Sequence, residues 1–128
     1  MRLSEHTSAE ASAVETRLAV VPVGSTEQHG PHAPLGTDTI TAEHVAEAGV
    51  DAYERPVVLG PTIPVGVSAE HRGFDGTLWA TAGAFRAYVG DLLRSLAHNG
   101  WDRIAVVNGH GGNTGPLREV CADLTRAG

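Results

Sequence analysis

The chain lacks lysine, has a single cysteine and contains no long apolar run. All nine basic residues are arginine, set among 15 acidic residues for a net charge of −6. Because the basic residues form no cluster, the charge pattern argues against nucleic-acid binding. Cys121 has no cysteine to pair with inside the chain, which is typical of a reducing compartment. No window approaches the roughly 18 uncharged apolar residues of a membrane-spanning helix, so we expect no membrane span.

The remaining composition predicts one globular domain over residues 1–128. An apolar content of 41% without low-complexity tracts is enough to bury a core. No internal repeat or domain boundary is visible. The first residues lack the apolar segment of a secretion signal, so we expect a cytoplasmic location.

Apolar segments and helical periodicity predict alternating strands and helices. The expected strands are 18–23, 55–59 and 104–107. The expected helices are 39–48, a helix with an apolar stripe at Phe85, Val89, Leu92, Leu93 and Leu96, and a last helix from Thr114. This order predicts an α/β fold of three layers, α/β/α, with a mainly parallel sheet. In such sheets, sites form beyond the carboxyl ends of the strands.

A loop broken by glycine and proline follows the first strand and carries Glu27, His29 and Asp38. Alternate side chains of an extended chain share a face, so Glu27 and His29 should point the same way. Turns before Asp38 allow its carboxylate to return to that face. Two carboxylates and an imidazole form a donor set suited to Zn²⁺, Mn²⁺ or Fe²⁺. The alternatives are a solvated charge at Glu27 and a helix N-cap at Asp38.

A second glycine-rich loop, from Asn108 to Asn113, follows the third strand and carries His110. Glycines beside a histidine let the backbone approach a small ligand or ion closely. The alternatives are a tight turn and a phosphate-binding loop at the start of the last helix. The glycine spacing matches neither the dinucleotide motif nor a P-loop. His110 is a metal candidate because its loop should lie at the same sheet edge as the first loop.

The connection from Gly60 to Gly76 contains Glu70 and His71. A segment of this length can fold over a site at the sheet edge. A carboxylate or an imidazole there could transfer protons, so we predict Glu70 and His71 as candidate catalytic residues. The alternative is a solvated dipeptide.

The two loops closely resemble the sequence signatures of the creatininase (creatinine amidohydrolase) family. The first signature is Val23-Gly-Ser-Thr-Glu-Gln-His-Gly-Pro-His-Ala-Pro-Leu-Gly-Thr-Asp38, and the second is Asn108-Gly-His-Gly-Gly-Asn113. A third similar segment is Glu70-His71 followed by Phe74-Asp-Gly-Thr-Leu78. The resemblance runs from about Leu18 to the C-terminus in the same order and spacing.

This resemblance implies an α/β/α domain that forms a homo-oligomer, a trimer or hexamer, and holds one or two divalent ions. Zinc is expected first, with manganese or iron as alternatives. By matching positions, Glu27, Asp38 and His110 would hold one ion, and His29 would help to hold a second with Asp38 bridging. The activities of the family include opening the creatinine ring, deformylating a formamidopyrimidine nucleotide and trimming a modified peptide. All of these hydrolyse amide-type bonds.

The chain departs from the family pattern in three respects. Creatininase itself has a glutamate ligand two residues after the last histidine, where this chain has Gly112. Asp75 stands where relatives commonly have proline. Family members are considerably longer, so the chain resembles the N-terminal half of the family domain and we expect the fold to be incomplete at its C-terminus.

These features predict a metal-dependent amidohydrolase that cleaves a C–N bond of a small cyclic amide or a formamide with a metal-activated water. A second hypothesis is an inactive fragment of such an enzyme, motivated by Gly112 and by the end of the sequence at Gly128. A third is a phosphate- or nucleotide-binding module that uses the loop after the third strand.

Overall fold

A computed structural model describes the whole chain, from Met1 to Gly128. The helices and strands, in chain order, are α1 (Ser8–Ala13), β1 (Leu18–Val23), α2 (Thr37–Ala52), β2 (Val58–Leu59), α3 (Ala82–His98), β3 (Arg103–Asn108) and α4 (Thr114–Ala127). Short 3-10 turns occur at Leu3–Glu5, Ala69–His71 and Gly111–Asn113. None of the helices is long and apolar enough to cross a membrane.

The strands form one parallel sheet in the order β2-β1-β3. β1 pairs with β3 along its full length and with β2 at Ala19 and Val20. The connections from β1 to β2 and from β2 to β3 run in opposite directions across the sheet, and crossovers of one hand then place their helices on opposite faces. As a result, α2 packs on one face, while α3 and α4 pack together on the other. The predicted α/β/α arrangement with a parallel sheet is therefore confirmed.

The main core lies between the sheet and the layer formed by α3 and α4. Alternate residues of β1 point into it, and the apolar stripe of α3 packs against them. Its fully or nearly fully buried members from these two elements are Ala19, Val21, Val23, Phe85, Val89, Leu93 and Leu96. The inward face of β1 and the apolar stripe of α3 therefore form one apolar layer.

The second strand is shorter than predicted. Only Val58 and Leu59 form it, whereas the sequence predicted 55–59. Pro56 has no N–H to offer a ladder, which limits pairing at the start of the segment. The outer edge of β2 is occupied by the N-terminus, because the Leu59 N–H donates to the Met1 carbonyl at 2.7 Å.

Two helix predictions and one strand prediction also need correction. α2 runs from Thr37 to Ala52 rather than 39–48, since Gly49 weakens a helix without ending it. The sequence prediction missed α1, whose start is stabilised by a reciprocal capping box between Thr7 and Glu10. The apolar residues 104–107 predict a buried strand, but Ala105 of β3 is exposed.

Candidate metal centre

The candidate site lies where the carboxyl ends of β1 and β3 meet the first turn of α2. Glu27 and His29 follow β1, His110 follows β3, and Asp38 is the second residue of α2. The structure brings all four predicted ligand side chains together at this edge. Their role as metal ligands remains a prediction.

A glycine makes this convergence sterically feasible. A Cβ atom on Gly109 would lie 2.3 Å from the backbone oxygen of Asp38, closer than any real contact. Only a residue without a side chain therefore lets the first turn of α2 sit directly on the loop that carries His110. The glycine before His110 is therefore required by packing.

His110 is buried and held between a backbone carbonyl and two carboxylates. Its Nε2 lies 2.8 Å from the carbonyl oxygen of Val67, which can only accept a hydrogen bond. Its Nδ1 lies 3.0 Å from Glu27 Oε1 and 3.1 Å from Asp38 Oδ2. In the neutral ring, the single proton is on Nε2, so the Nδ1 lone pair faces two carboxylate oxygens. A cation placed between them would relieve this repulsion.

His29 repeats this arrangement on the other side of Asp38. Its Nδ1 lies 3.0 Å from the backbone oxygen of Glu27, and its Nε2 lies 2.9 Å from Asp38 Oδ1. Metal-binding histidines nearly always donate their second ring N–H to a carbonyl, a carboxylate or water, which fixes the tautomer and the direction of the free nitrogen. Both histidines show this pattern.

Asp38 stands at the centre of the cluster. One oxygen faces His29, and the other faces His110 and accepts a hydrogen bond of 2.7 Å from Ser25. The alternative that Asp38 caps α2 is wrong, because the N-cap residue is Gly36 and no side chain makes a capping hydrogen bond. An aspartate with one oxygen directed at each of two imidazoles has the form of a bridging ligand.

Glu27 contributes a buried oxygen that has no partner. Its side chain is 6% exposed, and Oε2 makes no hydrogen bond. Leaving a buried carboxylate oxygen unsatisfied is costly, so such an atom calls for an explanation such as an ion or a water. Glu27, His29 and Asp38 offer ligand atoms that all lie within 4.8 Å of one another. The donor set and the unsatisfied oxygen fit a divalent metal of the zinc or manganese kind.

The pKa values in the cluster reflect crowded negative charge. Burial raises the pKa of Glu27, and the adjacent Asp38 carboxyl adds to this rise. Burial also acts against ionised Asp38, but the hydrogen bond from Ser25 and the adjacent His29 imidazole hold its pKa below the ordinary value. The bond to the Glu27 carbonyl and the nearby Asp38 raise the pKa of His29. A bound cation would neutralise this concentration of carboxylates.

The predicted catalytic pair lies over the cluster in the 3-10 turn Ala69–His71. His71 Nε2 is 3.7 Å from Glu27 Oε2, the unpartnered oxygen. Glu70 is exposed, and one of its carboxylate oxygens lies within 4.8 Å of ligand atoms of Glu27 and His110. The connection between β2 and α3 therefore folds over the site, and both residues lie close to the candidate ligands.

Sequence reasoning missed the residues that support the ligands. Ser25 is fully buried and donates a hydrogen bond to Asp38. It lies two residues before Glu27, and in an extended chain this spacing indicates that the two side chains share a face. Asn113, also fully buried, accepts from the Val67 N–H at 2.9 Å and donates to the Gly24 carbonyl at 3.0 Å. It thereby fixes the segment whose carbonyl orients His110. No feature of the sequence marks the Val67 carbonyl itself.

Gly112 is constrained by the same contact. A Cβ atom there would lie 2.3 Å from the Val67 oxygen and 2.6 Å from His110 Nε2. Any side chain at this position would displace the carbonyl that orients His110. In this chain, the hydrogen bond between His110 and Val67 therefore leaves no room for a carboxylate side chain at residue 112.

The comparison with protein families agrees with the geometry. The family model for creatininases, described as creatinine amidohydrolase, matches residues 4–128. The chain belongs to the creatininase family. The resemblance seen in the two loops is thereby confirmed, and it extends over nearly the whole chain.

Several curated proteins resemble this creatininase-family chain. The mycofactocin precursor peptide peptidase of Mycolicibacterium smegmatis is 43% identical over 116 residues, which is 87% of this chain and 46% of that protein. The protein of the same name from Mycobacterium tuberculosis is 41% identical over 118 residues, covering 85% of this chain and 46% of its own length. The creatinine amidohydrolase of Pseudomonas putida is 27% identical over 98 residues, 73% of this chain and 37% of that protein. The chain thus spans about half or less of the length of these relatives.

Solved creatininases share the fold. A mutant creatininase of the Zn–Zn type superposes with a TM-score of 0.88 at 25% identity, over 98% of this chain and 51% of that chain. A manganese creatininase gives a TM-score of 0.89 at 24% identity with the same coverage. Those two proteins carry zinc and manganese, respectively. The predicted creatininase-like fold is confirmed, and the chain corresponds to about half of each solved domain.

Proposed function

We propose that this chain provides the metal-binding half of an amidohydrolase that cleaves an amide C–N bond. The observation that supports it best is the shared geometry of His29 and His110. Each ring donates one N–H to a backbone carbonyl and directs its other nitrogen at Asp38. That pattern is typical of metal-binding histidines.

The four ligand candidates divide into two groups around Asp38. Glu27 and His110 lie on the side of Asp38 Oδ2, and His29 lies on the side of Oδ1. We infer one ion held by Glu27, Asp38 and His110, and a second held in part by His29 and Asp38. Zinc is the first expectation, with manganese or iron as alternatives, because nitrogen and carboxylate donors suit all three.

A bound divalent ion supplies Lewis acidity, which lowers the pKa of water to about 7 and polarises an amide carbonyl. In the hydrolysis, the water oxygen bonds to the carbonyl carbon, the C–N bond breaks, and the leaving nitrogen keeps the electron pair and needs a proton. We assign the donation of this proton to Nε2 of His71. The water that attacks the amide then returns a proton to the His71 ring. Glu70, which is exposed nearby, is the alternative donor.

An amide bond in a peptide is the first candidate for the substrate. The relatives at 41 to 43% identity are named for a precursor peptide, whereas the relative named for creatinine is 27% identical. Apolar side chains of the connection between β2 and α3 are also exposed, namely Phe74 at 56%, Leu78 at 53% and Trp79 at 47%. Such a surface suits apolar side chains of a peptide. The small cyclic amide or formamide predicted from the sequence is the second candidate, supported by the family description.

The phosphate-binding alternative is less compatible with the site. The loop before α4 directs His110 at Glu27 and Asp38, whose carboxylates would repel a phosphate placed there. Nucleotide binding that persists after metal removal would support that alternative instead.

The first experiment is elemental analysis of the purified chain together with its mass in solution. We expect about one or two equivalents of zinc, manganese or iron, as the two groups around Asp38 imply. Asp38→Asn and His110→Gln should lose most of this metal. Asp51→Asn, on the exposed side of the same helix, and His98→Gln, at the exposed end of α3, are matched controls that should retain it.

The outcomes distinguish the hypotheses. A folded chain that binds no added metal would contradict the proposal and favour the inactive fragment. Retained metal in His110→Gln would overturn the ligand assignment. With metal present, cleavage of peptides, creatinine and formamides would be compared in one assay. The solution mass tests the trimer or hexamer that the family resemblance predicts.

A further inference from the structure

Gln28, next to the metal candidate Glu27, makes directional contacts on both sides of its amide. Its Oε1 accepts a hydrogen bond of 3.0 Å from the Gly30 N–H. Its Nε2 lies 3.0 Å from Nδ1 of His71. Because the Gly30 N–H can only donate, the amide oxygen must face Gly30 and the NH₂ group must face His71. The orientation of the amide is therefore set by its neighbours.

This orientation determines the tautomer of His71. An amide NH₂ group only donates, so His71 Nδ1 must be the acceptor. The single proton of the neutral ring is then on Nε2. That nitrogen faces Glu27 Oε2 at 3.7 Å, beyond normal hydrogen-bond length. The Nε2–H group therefore points toward the unpartnered Glu27 Oε2 but forms no normal hydrogen bond with it.

Other hydrogen bonds hold the loop after β1 against the connection between β2 and α3, so the Gln28 amide can reach the His71 ring. The Gln28 N–H donates to Thr77 Oγ1 at 3.2 Å, and the Leu78 N–H donates to the Thr26 carbonyl at 2.8 Å. The Phe74 ring lies 6.3 Å from the His71 ring, centroid to centroid. The His71 side chain is still 33% exposed, so a substrate can reach it from outside.

We propose that Gln28 is a positioning residue that holds His71 in the Nε2–H tautomer and directs this proton into the site. Resting on the proposed function, the assignment specifies which ring nitrogen serves the leaving nitrogen of the amide. Gln28 acts through His71 and does not itself need to contact the substrate. The opposite tautomer would present a lone pair to the leaving group and could not donate.

The test is NMR of the isotope-labelled ring nitrogens of the full chain, recorded metal-free and zinc-loaded. His71→Asn identifies the His71 signals. We expect the Nε2–H tautomer in the wild type. Gln28→Glu, nearly identical in shape, replaces the donor by an acceptor and should place a proton on Nδ1. Gln28→Leu should give a mixture of tautomers. Asn99→Asp makes the same amide-to-acid change at the exposed end of α3 and should leave the signals of the His71 ring nitrogens unchanged.

A wild-type ring protonated on Nδ1 would overturn the proposal, as would a Gln28→Glu variant with an unchanged ring. The readout in the metal-free chain requires neither metal nor turnover, so it can fail or succeed independently of the proposed function. Where hydrolysis is measurable, Gln28→Glu should lower kcat by about 10²-fold with KM unchanged, the size expected for loss of general acid catalysis. An equal kcat in wild type and Gln28→Glu would also overturn it.

Discussion

The ring nitrogen Nε2 of His110 lies 2.8 Å from the carbonyl oxygen of Val67, 43 residues earlier in the chain. This contact determines which nitrogen of His110 faces the carboxylates. It joins the loop after β3 to the connection between β2 and α3, so the geometry of the site depends on two distant segments. Metal affinity and stability should therefore change together when this contact is disturbed.

Gly112→Ala should weaken both properties. The new Cβ would meet the Val67 oxygen at 2.3 Å and force the carbonyl away from His110. We expect a loss of about 1 to 3 kcal/mol in the free energy of unfolding from this overpacking. Metal affinity should fall by about 10- to 100-fold, as for other disturbed supporting contacts. Denaturant unfolding and metal titration measure the two effects.

Gly111→Ala is the matched control, because a Cβ at Gly111 would meet no atom within 4 Å. It should change stability by no more than about 0.5 kcal/mol and leave metal affinity unaltered. Equal effects of the two alanine substitutions would show that the Val67 contact does not orient His110.

Ser25→Ala should disturb the centre from the other side. Ser25 is fully buried, and its hydroxyl donates to Asp38 Oδ2 at 2.7 Å. A hydrogen bond to a charged group contributes about 1.5 to 3 kcal/mol, so the metal-free chain should lose stability in that range. Ser12→Ala removes an exposed hydroxyl on α1 and should have almost no effect. A Ser25→Ala chain with wild-type stability and metal affinity would argue against support of Asp38.

Asn113→Asp should destabilise the chain without touching a candidate ligand. The Asn113 amide nitrogen donates to the Gly24 carbonyl and to Asn108 Oδ1, and a carboxylate cannot donate to either. Leaving these acceptors facing a buried charge should cost about 1 to 3 kcal/mol or more. Thermal unfolding measures the change, and the exposed Asn99→Asp, which loses one hydrogen bond at the end of α3, should lower the melting temperature less. Similar melting of the two variants would contradict a structural role for the hydrogen bonds of Asn113.

The surface pair Arg17–Asp102 should make a small contribution to acid stability. Two hydrogen bonds, 2.7 Å and 2.6 Å, join the guanidinium to the carboxylate, and they lower the pKa of Asp102. A lowered folded-state pKa stabilises the fold above the unfolded value of about 3.9 and loses this effect as the pH falls through the folded value. Asp102→Asn should therefore reduce stability slightly at pH 7 and not at pH 2. An equal reduction at both pH values would exclude this origin.

The sequence predicted the elements whose pattern is strong over many residues. β1 was identified with its observed bounds, because it is a continuous apolar run between breaks. α3 was identified by its apolar stripe. Weak local signals failed: β2 has only two paired residues, and its partners, on β1 and at Met1, are distant in the chain.

The sequence likewise predicted only part of the candidate site. The donor types at Glu27, His29, Asp38 and His110, and their position after β1 and β3, were readable because parallel strands end at one edge. The roles of the Val67 and Glu27 carbonyls were not readable, because every residue has the same carbonyl group and only its position in space makes it a partner.

The sequence by itself determined the class of the fold, the family and the residues able to hold a metal. Periodic burial and ligand chemistry are properties of residue types, and residue types are what a sequence records. Only the tertiary structure decided which nitrogen of each histidine is free, why residue 112 must be glycine and how Gln28 meets His71. Those facts depend on distances of about 3 Å between segments far apart in the chain, where hydrogen-bond direction and steric contact decide the outcome.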